Sequence, residues 1–159
     1  MSALNNGSAR SSATNIRKEG PIHDLKEDVL LDFYKGAYGP TIRIATHSPV
    51  HLIAIRELFL RLGSGEQTTA SFEKSLSTTR LGIQSLELRV TPKRLQNVQT
   101  IAERGREDGK PLITWSLAKD EWNVCASLVD GLIRLQEPGH QYMSREDTDD
   151  IVIELSFRE

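Results

Sequence analysis

The segment after Pro138-Gly139 has the densest set of side chains capable of chemistry. They are His140, Gln141, Tyr142, Asp147, Asp149 and Asp150. An imidazole beside carboxylates can serve as a general acid–base pair, and clustered carboxylates can hold a divalent cation. A plainer interpretation is a polar connection whose acids keep the entrance to a strand soluble. We favour a structured loop that presents these groups to a partner, because binding groups concentrate on loops held by a rigid scaffold.

A second candidate surrounds the start of a predicted helix. His47 and His51 are four residues apart, a spacing that can direct two imidazoles at one metal ion. No glutamate completes the motif and His47 precedes the helix, so a capping or surface role is favoured. Ser48 has no Gly-x-Ser-x-Gly elbow around it, and its type suits the N-cap position.

The single cysteine, Cys125, cannot form an internal disulfide, and no Cys/His cluster has zinc spacing. A thiol nucleophile paired with His140 or His51 would need an exposed, electropositive setting. Cys125 instead falls on the apolar stripe of a predicted helix, which favours a small buried hydrophobic side chain. The sequence therefore predicts neither a metal nor a cofactor, and it favours a protein that is not an enzyme.

The charge and the hydropathy of the chain indicate which classes of partner to expect. The chain has 22 acidic and 20 basic residues and a formal charge of −2, whereas nucleic-acid binders usually have a strongly basic face. No apolar run approaches the length of a membrane helix, and the first residues lack the apolar core of a signal peptide. We expect a cytoplasmic protein whose partner is another protein rather than a nucleic acid or a membrane.

Apolar side chains at helical spacing predict two amphipathic helices. The first covers residues 49–62, with Ser48 as its N-cap and Gly63 as the residue that ends it. The second begins near Ser116 and ends at Pro138-Gly139. These helices must position any site on the loops that follow them.

Alternating apolar and polar residues predict strands at 41–46, 85–91, 112–117 and 151–158. Residues 29–34 suit either a strand or a helical turn. No internal repeat is evident. The simplest architecture is a two-layer α+β fold, with a mainly antiparallel sheet and both helices on one face. A ferredoxin-like or split βαβ topology is one candidate.

One domain accounts for most of the chain. Residues 1–20 have too few large apolar side chains to offset the entropy of ordering, so we predict a disordered tail followed by a single domain over 21–159. The segments 64–82 and 93–110 are not assigned, although 104–110 is predicted to contain a charged turn with glycine.

The last third of the sequence has a recognisable pattern. It consists of Trp115-Ser116-Leu117, Glu121-Trp122, Cys125, Leu128, Gly131-Leu132, Gly139-His140-Gln141-Tyr142 and Asp149-Asp150 before Val152 and Ser156. Over about residues 112–159 it resembles small bacterial proteins grouped with the immunity proteins of polymorphic toxin systems. The resemblance implies an α+β fold and a non-enzymatic role, in which the protein binds and neutralises a toxin. Two alternatives stay open: a small enzyme that uses His140 with a nearby carboxylate, and an oligomerising structural module.

Overall fold

A computed structural model describes residues 28–92, 100–143 and 151–159, which form nine strands and three helices. The predicted tail over 1–20 lies outside these residues. The elements are β1 (Val29–Gly36), β2 (Gly39–Thr46), α1 (Pro49–Ser64), β3 (Thr69–Ser71), α2 (Phe72–Ser75), β4 (Thr78–Leu81), β5 (Ser85–Val90), β6 (Thr100–Glu107), β7 (Lys110–Leu117), α3 (Lys119–Leu135), β8 (Gly139–Tyr142) and β9 (Val152–Phe157).

The strands form two sheets. Sheet A has five strands in the order β4-β1-β2-β9-β8, and sheet B has four in the order β3-β5-β7-β6. Each sheet is built on an antiparallel hairpin, β1–β2 in sheet A and β6–β7 in sheet B. Each hairpin is extended by a strand that runs parallel to its second member, β9 beside β2 and β5 beside β7.

The two halves of the chain repeat one order of elements and exchange strands. The first half runs through the hairpin β1–β2, helix α1, the short strand β3 and then β5, and the second runs through β6–β7, α3, β8 and β9. Because β9 joins β2 and β5 joins β7, the strands of one half complete the sheet of the other. Among the described elements, α2 and β4 have no counterpart in the second half.

The two exchanged strands, β5 and β9, are each followed by a corresponding backbone hydrogen bond. Directly after β5, the Thr91 amide donates to the Leu117 carbonyl at 2.8 Å. Directly after β9, the Arg158 amide donates to the Thr46 carbonyl at 2.9 Å. Leu117 and Thr46 are the last residues of β7 and β2. Both crossovers therefore fix their strands in the same register.

Helix α1 begins at Pro49, as expected for proline in a first turn. Ser48 stands at the N-cap position, but its side chain makes no capping hydrogen bond. The helix continues past Gly63, which was predicted to end it, to the left-handed Gly65 at φ 79°. A Cβ at Gly63 would meet the end of the Asn123 side chain on α3, so the two helices approach closely at this glycine.

Helix α3 begins at Lys119 rather than near Ser116, because the Glu121 carboxylate accepts the Ala118 amide at 3.3 Å and caps the first turn. It ends at Leu135, before the left-handed Gln136. None of the three helices in the described part of the chain has the length and apolar character needed to cross a membrane.

One hydrophobic core joins both sheets and both long helices. At its centre Phe59 of α1 packs against Trp115 of β7 and Trp122 of α3, with ring centroids 5.8 and 5.3 Å away, and the two tryptophan rings are 4.8 Å apart. Trp122 Nε1 donates to the Arg89 carbonyl at 3.2 Å, which satisfies its polar group. Side chains from both halves thus share one apolar interior.

The predicted α+β class is confirmed, and the strands and helices with clear periodicity are present. The expected single sheet is instead two sheets, because each helix carries the chain from one sheet to the other. Residues 29–34 belong to strand β1. The charged segment 104–110 is mostly strand, and only Asp108 and Gly109 form the turn between β6 and β7.

Candidate functional site

The candidates predicted from sequence fall partly on β8, the edge strand of sheet A. His140 and Tyr142 face away from the core, whereas Gln141 is on the inner side with its cross-strand neighbour Leu155. Outside the described residues lie Asp147, Asp149 and Asp150. The described structure therefore places two of the predicted side chains on one outward face, and the part of the three acids in binding stays a prediction.

His140 is held by a carboxylate. Its Nδ1 lies 3.0 Å from Glu159 Oε2, and the Ser156 hydroxyl donates to the same oxygen at 3.1 Å. The carboxylate is therefore between the hydroxyl and the imidazole. A histidine that activates a serine must contact that hydroxyl itself, so this arrangement orients His140 and does not prepare Ser156 as a nucleophile.

All three tyrosines of the chain lie on this side of sheet A. Tyr142 meets Tyr38, from the turn between β1 and β2, edge to face at a centroid distance of 6.3 Å. The His140 ring lies 5.2 Å from the Tyr142 ring. Tyr34 projects from β1 beneath the guanidinium of Arg43, which is 5.3 Å from its ring centroid. Tyr38 is 76% exposed, although an aromatic ring of this size normally packs.

A charged row crosses the same face. The strand register sets Asp32, Arg43, Glu154 and Tyr142 side by side on four neighbouring strands. Arg43 turns toward Asp32 and contacts its carboxylate at 3.1 Å. Burial raises the pKa of Tyr34 above its ordinary value, and the charge of Glu154 adds to the rise while Arg43 opposes it. The hydroxyl of Tyr34 therefore stays protonated at neutral pH.

We call this outward surface of sheet A the tyrosine face. It consists of Asp32, Tyr34, Tyr38, Arg43, His140, Tyr142 and Glu154.

The same positions of sheet B carry different residues. Strands β2 and β7 can be matched residue by residue, because they pair with their parallel neighbours in the same register. Strands β1 and β6 then match through their pairing with β2 and β7, apart from one extra residue in β6. Ser71, Gly105 and Gly109 stand where sheet A has Tyr142, Tyr34 and Tyr38. Glu87 lies opposite Thr114 and Ser71, just as Glu154 lies opposite Arg43 and Tyr142.

Sheet B instead has a polar cleft on its outer side. It has a volume of about 300 Å³ and is lined mainly by charged side chains from β4, β5, β6 and α2. Glu87 contacts Arg89 at 2.7 Å and Arg104 at 3.5 Å. Arg104 is the extra residue of a bulge in β6, at which the register with β7 shifts. The negative charge of Glu87 is thus balanced by two arginines of the same chain.

The histidines at the start of α1 and the cysteine have structural partners. His51 Nδ1 lies 3.1 Å from the Thr46 hydroxyl, and the His47 carbonyl accepts Arg158 Nε at 3.4 Å. Cys125 is 3% exposed, and burial raises the pKa of its thiol to about 12, so the expected burial is confirmed. In residues 28–92, 100–143 and 151–159, no group of three His, Cys, Asp or Glu side chains could hold a metal ion.

Sequence reasoning did not identify Tyr34 and Tyr38 as members of a site. Strand alternation does place Arg43 and Glu154 on an outward face, but it does not show that β2, β9 and β8 are neighbours. Tyr38 gives no periodic signal because it lies in a turn.

Comparisons with protein-family models, with curated proteins and with solved structures produced no match. The resemblance of the last third of the chain to immunity proteins stays a prediction.

Proposed function

We propose that the protein is a non-enzymatic binding protein that holds a protein partner on the tyrosine face. The observation that carries the proposal is the internal comparison between the sheets. The matched register positions hold three tyrosines in sheet A and Ser71, Gly105 and Gly109 in sheet B, although the two glycines have positive φ values and the tyrosines do not. Because sheet B forms the same strand arrangement with small residues there, the fold itself does not require the tyrosines.

Tyrosine is suited to an interface. It offers a large apolar ring with a polar tip at a low cost in side-chain entropy, and tyrosine is enriched among the residues that dominate binding energies. Tyr38 and Tyr142 are both among the exposed large apolar side chains of the described structure, and their rings are in contact. A partner that covers this pair would bury apolar surface now in water.

The kind of partner follows from the resemblance of residues 112–159. We propose an immunity-like role in a bacterial cytoplasm, in which the partner is a toxin that the protein neutralises by occupying a surface needed for toxicity. The acidic residues of the predicted site follow β8 in the sequence, and we propose that Asp149 and Asp150 also contact the partner. Replacing both aspartates with lysine should then weaken binding of the partner far more than it lowers the stability of the chain.

Photo-crosslinking in cells of the native host tests the proposal. The photoreactive amino acid p-benzoylphenylalanine replaces Tyr38 on the tyrosine face or, as a matched control, Ile53 on the outward side of α1, which is 44% exposed. We expect a discrete crosslink to another protein from position 38 that is absent from position 53. Crosslinks only to a second copy of the chain would favour the oligomerising module and contradict the proposal.

The captured partner then permits a quantitative test. Tyr142→Ala should weaken its binding at least about tenfold, as expected for a central aromatic contact. Ser71→Ala, at the matched position of sheet B, should leave the dissociation constant unchanged. Equal affinity of the wild type and of Tyr142→Ala would exclude the tyrosine face. Expression of the partner alone should be toxic and co-expression of the chain should relieve it; a harmless partner would remove the immunity-like role and leave the binding role.

A further inference from the structure

In the part of the chain that the structure describes, Glu154 is the carboxylate of the tyrosine face that forms no ion pair. It lies between Arg43 on β2 and Tyr142 on β8, and it is partly exposed. Arg43 contacts Asp32 instead. Within residues 28–92, 100–143 and 151–159, no cation comes within ion-pair distance of Glu154. A carboxylate in this position can accept hydrogen bonds from an external donor.

Sheet B shows the completed form of the same arrangement. Glu87 is at the matched position and binds the guanidinium groups of Arg89 and Arg104. Sheet A has neither arginine: Ser156 stands where sheet B has Arg89, and the β1–β2 pairing has no bulge to supply a residue like Arg104. Among the described residues, two arginines therefore contact the glutamate at this point of sheet B, and none contacts the matched glutamate of sheet A.

We infer that Glu154 accepts the guanidinium of an arginine that the protein partner inserts between Arg43 and Tyr142. The inference deepens the proposed function and rests on it, because it assigns the chemistry of one contact on the same face. The occupant is a protein segment with an exposed arginine. Asp32 and Arg43 neutralise each other, so the charge offered to the partner at this point is the negative charge of Glu154.

Arginine fits this position better than lysine. A planar guanidinium can form two parallel hydrogen bonds to a carboxylate and can stack on an aromatic ring at the same time, and Tyr142 is the cross-strand neighbour of Glu154. The face already contains one such stack, since Arg43 covers Tyr34. A lysine ammonium is a compact, strongly hydrated charge, so it would gain less from the neighbouring ring.

Selection from a random peptide display library on the full chain tests the inference. Peptides are selected on the wild type and counted again on Glu154→Gln, on the Tyr38→Ala/Tyr142→Ala double variant and on Glu87→Gln. We expect arginine to be enriched several-fold over lysine in the retained peptides. Retention should fall about tenfold or more on Glu154→Gln and stay unchanged on Glu87→Gln, which removes the matched carboxylate of sheet B.

The outcomes separate the two proposals. Peptides lost on the double variant but retained equally by Glu154→Gln, or not enriched in arginine, would overturn the role of Glu154 and leave the tyrosine face supported as a binding surface. Peptides retained equally by the double variant would contradict both. A library in which the wild type retains no more than the double variant would also contradict both. Thermal melts of each variant confirm that the chain is folded before peptides are counted.

Discussion

The outer faces of sheets A and B have a glutamate at the same point of the fold and surround it differently. In sheet B, Glu87 is closed off by two arginines of its own chain. In sheet A, Glu154 lies beside an exposed pair of tyrosines, and its neighbour Arg43 contacts Asp32 instead. The strand pairing around the two glutamates is shared, so the difference lies in the side chains and in the bulge of β6 that supplies Arg104.

This comparison of the two sheets distinguishes the inward-facing residues, which the fold requires, from the outward-facing residues, which the fold leaves free to vary. Both sheets need inward-facing apolar residues, and both have them: Leu86 and Leu88 flank Glu87, and Ile153 and Leu155 flank Glu154. Outward residues are free of that demand, since a solvated sheet face can carry polar or aromatic side chains with little effect on the core. Aromatic enrichment on only one of two matched faces is therefore an indication of binding.

The largest expected effect tests whether the two halves are one unit. Phe59→Ala removes a ring that is 1% exposed and packs on both tryptophans, and it should lower the free energy of unfolding by about 3–5 kcal/mol. Phe59 belongs to the first half and the tryptophans to the second. Urea unfolding followed by tryptophan fluorescence and by far-UV circular dichroism should still give coincident transitions. Separate transitions would show that the halves unfold independently, and Ile53→Ala on the outward side of α1 is the control.

The second prediction uses a difference between the helices: counted from the first residue of each helix, α3 has Cys125 where α1 has Ile55. Burial raises the pKa of this thiol from 9.0 to about 12, so the folded chain keeps a proton that the unfolded chain releases. The stabilisation is complete below pH 9 and is lost as pH rises toward 12. Between about pH 8.5 and about pH 10.5, the wild type should lose about 2 kcal/mol more stability than Cys125→Ala. Chemical denaturation at each pH measures this, and parallel curves would show that the thiol ionises normally.

Two helical glycines give opposite expectations. Gly131 on α3 has nothing within 4 Å of an added Cβ, so Gly131→Ala should raise the free energy of unfolding by about 0.5–1 kcal/mol through helix propensity. Gly63→Ala on α1 should lose that gain, because the methyl group meets Asn123. Adding Asn123→Ala should restore it. Equal stabilisation by both single variants, seen in thermal or urea unfolding, would show that the helices do not approach closely at Gly63.

The smallest expected effect on stability concerns the two matched glutamates, Glu87 and Glu154. Glu87→Gln breaks contacts with two arginines that are 52% and 42% exposed, and it should cost about 0.5 kcal/mol at low salt. The cost should vanish near 1 M salt, where such pairs are screened. Glu154→Gln should change stability less, because no cation pairs with it in the described structure. A larger loss for Glu154→Gln, measured by urea unfolding at both salt concentrations, would reverse the comparison.

Local periodicity was enough to predict the α+β class and the clearest elements. It failed where both faces of a strand are partly apolar: Leu30 and Tyr34 on β1 obscure the alternation of Val29, Leu31 and Phe33. Alternation also shows which residues face inward without showing which strands pair. The pairing of Ile42 with Ile153, which divides the fold into two sheets, therefore has no signal in either segment.

The repeat was hidden because the matched residues differ in type. Counted from the first residue of each helix, α1 has Leu52 where α3 has Trp122, and sheet A has tyrosines where sheet B has Ser71 and glycines. The candidate site, too, was predicted only in part from the sequence. His140 and Tyr142 stood out as a dense run of functional groups, whereas Tyr34 and Tyr38 join them only when the hairpin β1–β2 lies beside β9 and β8.

The exchange of strands has a consequence for synthesis on the ribosome. Translation delivers β2 early, but its parallel neighbour β9 is the last of the described strands to be made. Until then the nascent hairpin has an open edge, which is the kind of edge that pairs with other chains. Closure of sheet A depends on contacts between residues far apart in sequence, and such contacts form slowly. Completion of sheet A must therefore wait until β9 has been translated and has paired with β2.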